Sequence, residues 1–156
     1  NVYNNLTLEQ YGKMGLKEIC VSPELNISEI KNIKSLIKKE VIVYGKIPVM
    51  TVRNCLFKSA NGKCGCNDGF YYLKDRKNMF FPFVTNKFSC TNTIYNCVPI
   101  YMGDKKNDIT SLNAYSHKFI FTTENCDEIE LIFNNYKNNK SLNDKEFTRG
   151  HFYKGV

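Results

Sequence analysis

The run Glu40-Val41-Ile42-Val43-Tyr44-Gly45 constrains the architecture more than any other part of the chain. Its apolar residues follow one another without a polar interruption, and most of them are β-branched. This pattern is typical of a strand that is covered on both faces, as in a parallel sheet. Gly45 ends the run. Because such a strand needs helices on both sides, we expect strands and helices to alternate around it.

The residues before this run alternate in that way. The sequence predicts a strand over 1–3, a helix over 6–14 with Thr7 as its N-cap, and a strand over 18–22. A second helix follows, with Ser28 as its N-cap and with Ile30, Ile33, Leu36 and Ile37 on one apolar face. Residues 1–45 therefore form a βαβαβ unit, which needs right-handed crossovers and a parallel sheet. Such units occur in doubly wound sheets and in eight-stranded barrels.

The pattern changes after Lys46. Helical periodicity stops, and Gly, Asn and Asp separate short aromatic segments, so residues 46–101 are interpreted as a β-rich, cysteine-containing insert. The alternation resumes in residues 102–156, with a strand over 118–122 and an amphipathic helix over 125–136. The prediction is a single α/β domain divided into these three segments.

Composition limits the cellular setting and the partners. The chain has 156 residues, and no stretch is long and apolar enough to span a membrane or to resemble a secretion signal, so we expect a cytoplasmic protein without a membrane partner. The net charge of +7 permits an RNA partner, although solvated lysine-rich helix faces are the commoner reason for such a charge. The chain does not begin with Met, and Val2 and Tyr3 lead directly into the turn Asn4-Asn5, as the last residues of a strand would. We therefore expect the C-terminal part of a longer chain, whose missing N-terminal part is a partner and whose open sheet edge favours self-association.

The cysteines indicate a metal centre. There are seven of them, an odd number that excludes complete internal pairing. Cys55, Cys64, Cys66 and Cys90 lie in glycine-rich hairpins, where several thiolates can converge on zinc or on an iron–sulfur cluster. The single residue between Cys64 and Cys66 matches neither kind of site closely. The alternative is that these cysteines are small buried apolar residues, which is our expectation for Cys20 and Cys126.

Three other residues are candidates for substrate contact. Glu24 follows a predicted parallel strand at its C-terminal end, which is where sheets and barrels of this class gather their active-site groups. Arg149 and His151 lie in a polar and aromatic cluster near the end of the chain and offer cationic groups to an anionic substrate. Each of the three also has a purely structural interpretation, such as a carboxylate at a helix N-terminus. His117 has no partner that the sequence identifies. The sequence contains no dinucleotide-binding, P-loop, zincin or serine-hydrolase motif.

Several short strings, taken in order, resemble peptidase family U32, the collagenase-like proteases. They are Val21-Ser22-Pro23-Glu24-Leu25, Val43-Tyr44-Gly45-Lys46-Ile47-Pro48-Val49-Met50, Leu73-Lys74-Asp75-Arg76-Lys77, Phe81-Pro82 and Phe147-Thr148-Arg149-Gly150-His151-Phe152-Tyr153. The resemblance extends over most of the chain and corresponds to the later part of the family's catalytic domain. It implies a partial TIM-barrel-like unit, with the insert after the strand that ends at Gly45.

The resemblance implies two kinds of chemistry. Some members of the family are regarded as peptidases, whereas others resemble oxygen-independent hydroxylases that hold a 4Fe–4S cluster and modify transfer RNA, ribosomal RNA or a quinone precursor. Cys55 looks like the first cluster ligand after the barrel strand, and Cys66 and Cys90 look like later ones. Quinone-modifying members have a further cysteine where this chain has Pro48, so Cys64 would take its place. The expected function is that of a U32 enzyme, and the alternative is a non-catalytic module that binds RNA or a protein.

Overall fold

The computed structural model describes residues 2–67, 69–142 and 146–155. In chain order the elements are α1 (Asn5–Lys13), β1 (Glu18–Cys20), α2 (Ile27–Asn32), β2 (Lys38–Gly45), β3 (Pro48–Val52), α3 (Leu56–Asn61), β4 (Phe70–Lys74), β5 (Phe80–Asn86), β6 (Thr91–Tyr95), β7 (Ile100–Tyr101), α4 (Lys106–Thr110), β8 (Ser116–Ile120) and α5 (Cys126–Lys137). The protein is therefore of mixed α/β class, as the sequence predicts.

The chain divides into two compact units. The first contains Asn1–Gly45 and Pro99–Val156, and the second contains Lys46–Val98. In the first unit β2 pairs in parallel with β1 and with β8, and it pairs antiparallel with the short β7. The parallel pairing agrees with the sequence prediction. The described strands close no barrel, so the TIM-barrel-like part of that prediction is not confirmed.

The core of the first unit forms around the C-terminal half of β2. Val43 and Tyr44 are buried, and the Tyr44 ring packs edge-on against the ring of Tyr101 from β7. Ile132 from α5 and Leu142 complete this cluster, and three phenylalanines pack against it: Phe119, Phe121 and Phe147. The continuous apolar run of β2 is thus buried because side chains from other elements cover it, as its composition predicts.

Gly45 ends β2 for a steric reason. Its φ is +138°, and a Cβ atom at this position would lie 2.5 Å from the backbone oxygen of Ile120. Gly45 and Ile120 are paired residues of β2 and β8. Only glycine allows the two strands to approach so closely in this backbone conformation.

The second unit is an antiparallel sheet with the strand order β3-β6-β5-β4. The helix α3 packs on it through Phe57, whose ring centroid lies 4.6 Å from that of Tyr71 and 6.0 Å from that of Phe83. The β-rich character of this segment agrees with the sequence prediction, but α3 was not expected. Ile100 and Tyr101, which the prediction placed at the end of the insert, pair with β2.

Several predicted element boundaries are wrong. Asn4 and Asn26, rather than Thr7 and Ser28, cap α1 and α2, because each asparagine side chain accepts a hydrogen bond from the backbone N–H three residues later. The helix α2 ends at Asn32, so the Leu36 side chain is fully exposed instead of lying on the predicted apolar face. Val2 and Tyr3 form no strand, although the N–H of Ser22 donates to the Val2 carbonyl. Asn1 lies outside the described residues.

In the part of the chain that the structure describes, no helix has the length and apolar character needed to cross a membrane.

Candidate metal centre

Three of the four predicted ligands meet in the second unit. The Sγ atoms of Cys55, Cys64 and Cys66 all lie within 4.8 Å of one another, and those of Cys55 and Cys66 are 4.0 Å apart. Two sulfurs bound to one tetrahedral ion at about 2.3 Å lie about 3.8 Å apart. The three thiols therefore already converge to the scale of a metal centre.

Local structure explains how residues so close in sequence meet. Cys55 is the N-cap of α3, and its Sγ accepts the backbone N–H of Lys58 at 3.4 Å. The helix ends at Gly62, whose φ of +72° turns the chain back towards its own start. Cys64 and Cys66 follow within four residues of this turn. The short helix and its left-handed C-cap thus bring the second and third thiols back to the first.

Cys90 lies on the rim of the same site. A cavity of about 240 Å³ is lined by Cys55, Cys64, Cys66 and Cys90. Cys90 lies in the turn between β5 and β6 and has a φ of +50°, a conformation that non-glycine residues seldom adopt and that costs free energy. The structure thus brings all four predicted thiols to one cavity, with Cys90 outside the group of three.

The thiols are electrostatically unequal. Hydrogen bonds from the backbone and thiol of Cys66, and from the Cys55 thiol, lower the pKa of Cys64. The hydrogen bond with the Cys64 thiol, followed by desolvation and the hydrogen bond with the Cys55 thiol, raises the pKa of Cys66 to about 11. Without a cation between them the thiols cannot all ionise, because each thiolate opposes the next. Lys58 and Lys87 also line the cavity and offset negative charge there.

Asn92 supplies an unsatisfied polar atom. The residue is 2% exposed and lines the cavity, and its Nδ2 donates to the Asn54 carbonyl at 2.5 Å. Its Oδ1 has no hydrogen-bond partner among the described residues. A buried acceptor without a donor is costly, so this oxygen suits a donor group that enters the cavity.

The donor set fits a thiophilic metal. Cysteine thiolates bind zinc and iron–sulfur clusters, and both centres need several of them at one place. The thiols and the two lysines are consistent with a bound anionic metal–thiolate group. These residues are compatible with zinc and with an iron–sulfur cluster.

Glu24 belongs to the first unit and lies just beyond the C-terminal end of β1. Its carboxylate is exposed and accepts a hydrogen bond from the Tyr3 hydroxyl, and its backbone N–H donates to the Ser22 hydroxyl at 3.3 Å. The position at the carboxyl edge of the parallel sheet is the predicted one. The contact with Tyr3 could not be read from sequence.

Arg149 is engaged inside the first unit. Its guanidinium donates to both carboxylate oxygens of Asp104, at 2.5 and 2.7 Å, and to the Tyr101 carbonyl at 2.7 Å. It also lies over the Phe147 ring, 4.6 Å from the centroid. Arg149 therefore connects the terminal segment to β7 through its hydrogen bond to the Tyr101 carbonyl. His151, two residues later, is half-buried.

The sequence did not indicate two polar pairs, one part-buried and one exposed, and one cysteine was placed wrongly. The Tyr44 hydroxyl donates to Glu124 at 2.8 Å, and His117 Nδ1 lies 2.7 Å from the Tyr136 hydroxyl. Both pairs join residues distant in sequence, so no local spacing signals them. Cys126, which was expected in the core, is exposed at the first position of α5.

Comparison with known proteins gives one match. The family model described as Peptidase family U32 matches residues 1–79. The matched range contains Glu24 and the three converging cysteines and ends before Cys90 and Arg149. No curated protein and no solved structure matches the chain.

Proposed function

The chain belongs to peptidase family U32, and on that premise we propose that it holds the thiolate-bound metal centre of an enzyme that hydroxylates RNA in the cytoplasm. The proposed centre is a 4Fe–4S cluster bound by Cys55, Cys64, Cys66 and Cys90.

The observation that carries the proposal is the convergence of these thiols on one cavity. A peptidase of the serine or cysteine type needs a nucleophile that is hydrogen-bonded to a base. Among residues 2–67, 69–142 and 146–155, neither His117 nor His151 hydrogen-bonds to a serine, threonine or cysteine side chain. The described residues thus support metal-dependent chemistry better than hydrolysis by such a pair.

The chain's own groups have defined tasks in this proposal. A bound cluster supplies one-electron redox chemistry at the cavity. Lys58 and Lys87 offset the charge of the thiolates, and Asn92 Oδ1 accepts a hydrogen bond from a substrate hydroxyl or amine. Glu24 faces the substrate at the carboxyl edge of the parallel sheet, and Arg149 with His151 supports the terminal segment next to β7.

An aromatic face of the second unit supports RNA as the substrate. Phe70, Tyr72 and Lys74 alternate along β4 and so share one face, and Phe80 lies opposite Lys74 on β5. All three rings are exposed, and the Lys74 ammonium lies 5.5 Å from the Phe80 ring centroid. Unpaired bases stack on aromatic side chains of this kind, and a nearby ammonium binds phosphate.

The same face favours a second candidate function, a non-catalytic RNA-binding module. Stacking and charge need no metal, so binding by such a module is independent of the thiols. RNA affinity that falls steeply with salt, is unchanged in C55S/C66S and is lost in Y72A/F80A would identify this function, provided that no RNA is modified.

The experiment is expression of the full-length chain followed by mass spectrometry of cellular RNA. The proposal predicts nucleosides that gain one oxygen atom with the wild-type chain and not with C55S/C66S, whereas C20S/C126S behaves like wild type. RNA of identical composition in all three strains would reject RNA hydroxylation. Modification that persists in C55S/C66S would reject the role of the thiols.

A further inference from the structure

A second cavity lies in the first unit, and none of the four predicted metal ligands lines it. Its volume is about 270 Å³. Met102, Gly103 and Ile109 form an apolar and buried floor. The remaining lining residues are polar or cationic: Lys106, Thr110, His117, Tyr136, Lys137 and Asn139. No carboxylate lines this cavity among the described residues.

Three elements bring the polar groups together. Lys106 is the first residue of α4, and His117 is the second residue of β8. Tyr136 and Lys137 form the end of α5. Because each element contributes at least one cationic or hydrogen-bonding side chain, the arrangement depends on the tertiary fold.

Tyr136 orients the imidazole of His117. The hydroxyl and Nδ1 are 2.7 Å apart, and the Tyr136 ring packs edge-on against Phe119, with centroids 4.9 Å apart. Desolvation lowers the pKa of His117 and raises that of Tyr136 to about 12, so the neutral imidazole and the protonated phenol are favoured. When the phenol donates to Nδ1, the proton of the neutral imidazole is on Nε2, which can then donate to a ligand.

Two carboxylates next to lining residues in sequence are engaged elsewhere. Asp104 is held by Arg149, and Asp108 accepts a hydrogen bond from the Tyr153 hydroxyl. The cavity has cationic lysines and hydrogen-bond donors on its walls, and no carboxylate among the described lining residues balances them. The C-terminal end of α5 offers no backbone N–H groups, so on that side of the cavity an anion depends on the side chains.

We propose that this cavity binds the phosphate group of a small phosphorylated ligand through Lys106, Lys137 and the Nε2–H of His117. A phosphate monoester has three acceptor oxygens and close to two negative charges, which match two ammonium groups and a neutral donor. The apolar floor of Met102 and Ile109 accommodates the part of the ligand next to the phosphate. This site is independent of the thiolate cavity and of the RNA reaction.

The test is a histidine NMR titration with inorganic phosphate as the probe. The chain contains two histidines, so His151 is an internal control. We expect phosphate to raise the pKa of His117, because a bound anion favours the imidazolium form, and to leave that of His151 unchanged. Sodium chloride at equal ionic strength should not reproduce the effect.

Two variants make the assignment specific. In K106M/K137M we expect the phosphate dissociation constant to rise by about tenfold or more, the equivalent of about 1.4 kcal/mol, whereas C55S/C66S should bind phosphate as the wild-type chain does. The phosphate titration therefore remains valid even if the RNA experiment shows no hydroxylation. Equal shifts of both histidines, no shift of His117, or an unchanged phosphate affinity in a folded K106M/K137M would overturn the proposal.

Discussion

Cys64 and Cys66 have opposite thiol acidities although one residue separates them. Hydrogen bonds from Cys66 lower the pKa of Cys64, and the neighbouring thiols raise that of Cys66 to about 11. In the metal-free chain Cys64 should be the thiolate of the pair. A cation in the cavity would remove the difference by stabilising every thiolate at once.

This inequality predicts an order of alkylation. Iodoacetamide reacts with thiolates, so near neutral pH the metal-free chain should lose its free Cys64 thiol before its Cys66 thiol. Peptide mass spectrometry of samples quenched at successive times measures both, and the exposed Cys126 serves as the reference. Addition of zinc before the reagent should protect Cys64 and leave Cys126 reactive. Faster modification of Cys66 would contradict the assigned hydrogen bonds.

The Asp104–Arg149 pair links acid stability to the terminal segment. Arg149 lowers the pKa of Asp104 below its usual value of 3.8, so the pair stabilises the fold above about pH 4 and loses this contribution as the pH falls through the lower folded-state pKa. We expect R149M to lower the free energy of unfolding at neutral pH by about 2 kcal/mol.

Urea unfolding of wild type, R149M and D104N at pH 7 and at pH 2 tests this pair. The difference between wild type and D104N should be larger at pH 7 than at pH 2, because the contribution of the ion pair is lost as the pH falls through the pKa of Asp104. A difference of equal size at both pH values would show that the carboxylate charge of Asp104 is not the origin of the stability.

At the scale of elements, helix starts depend on asparagine caps. In α2 the side chain of Asn26 accepts the N–H of Glu29, and the Glu29 carboxylate accepts the N–H of Asn26. Loss of such a cap costs about 1 kcal/mol. N26A should therefore reduce the free energy of unfolding by about that amount, whereas S28A, at the residue that the sequence suggested as the cap, should have little effect. Denaturant unfolding measures both variants, and an equal loss in the two would mean that the cap is misassigned.

The sequence predicted those elements whose signal is local and long. The apolar run of β2 and the amphipathic pattern of α5 were recognisable because burial imposes a period on the side chains. The helix α3 was missed because six residues are too few to show a helical period, and its cap is Cys55, an unusual capping residue.

The candidate site was predictable in its residue types and not in its geometry. Cysteines in glycine-rich hairpins indicated the ligand set, but the hydrogen-bond partners of Arg149 and His117 lie 45 and 19 residues away. Such contacts depend on how the elements pack against one another. They therefore cannot be predicted from the spacing of residues along the chain.

At the scale of the whole molecule, the parallel sheet has an open side. The strand β8 pairs with β2, and in the described part of the chain no strand pairs with its other edge. An unpaired edge accepts another strand, so we expect the isolated 156-residue chain to self-associate. Light scattering over a concentration series measures this. A strictly monomeric chain at high concentration would contradict the expectation.

The proposed function requires a thiolate-bound metal centre in the second unit. Elemental analysis of anaerobically purified protein tests for this centre most directly. Iron and acid-labile sulfide should be present in equal amounts in the wild-type chain, absent from C55S/C66S and retained in C20S/C126S. Zinc without sulfide would keep the centre and remove its redox chemistry. A folded wild-type chain that contains neither iron nor zinc would contradict the presence of a metal centre at these thiols.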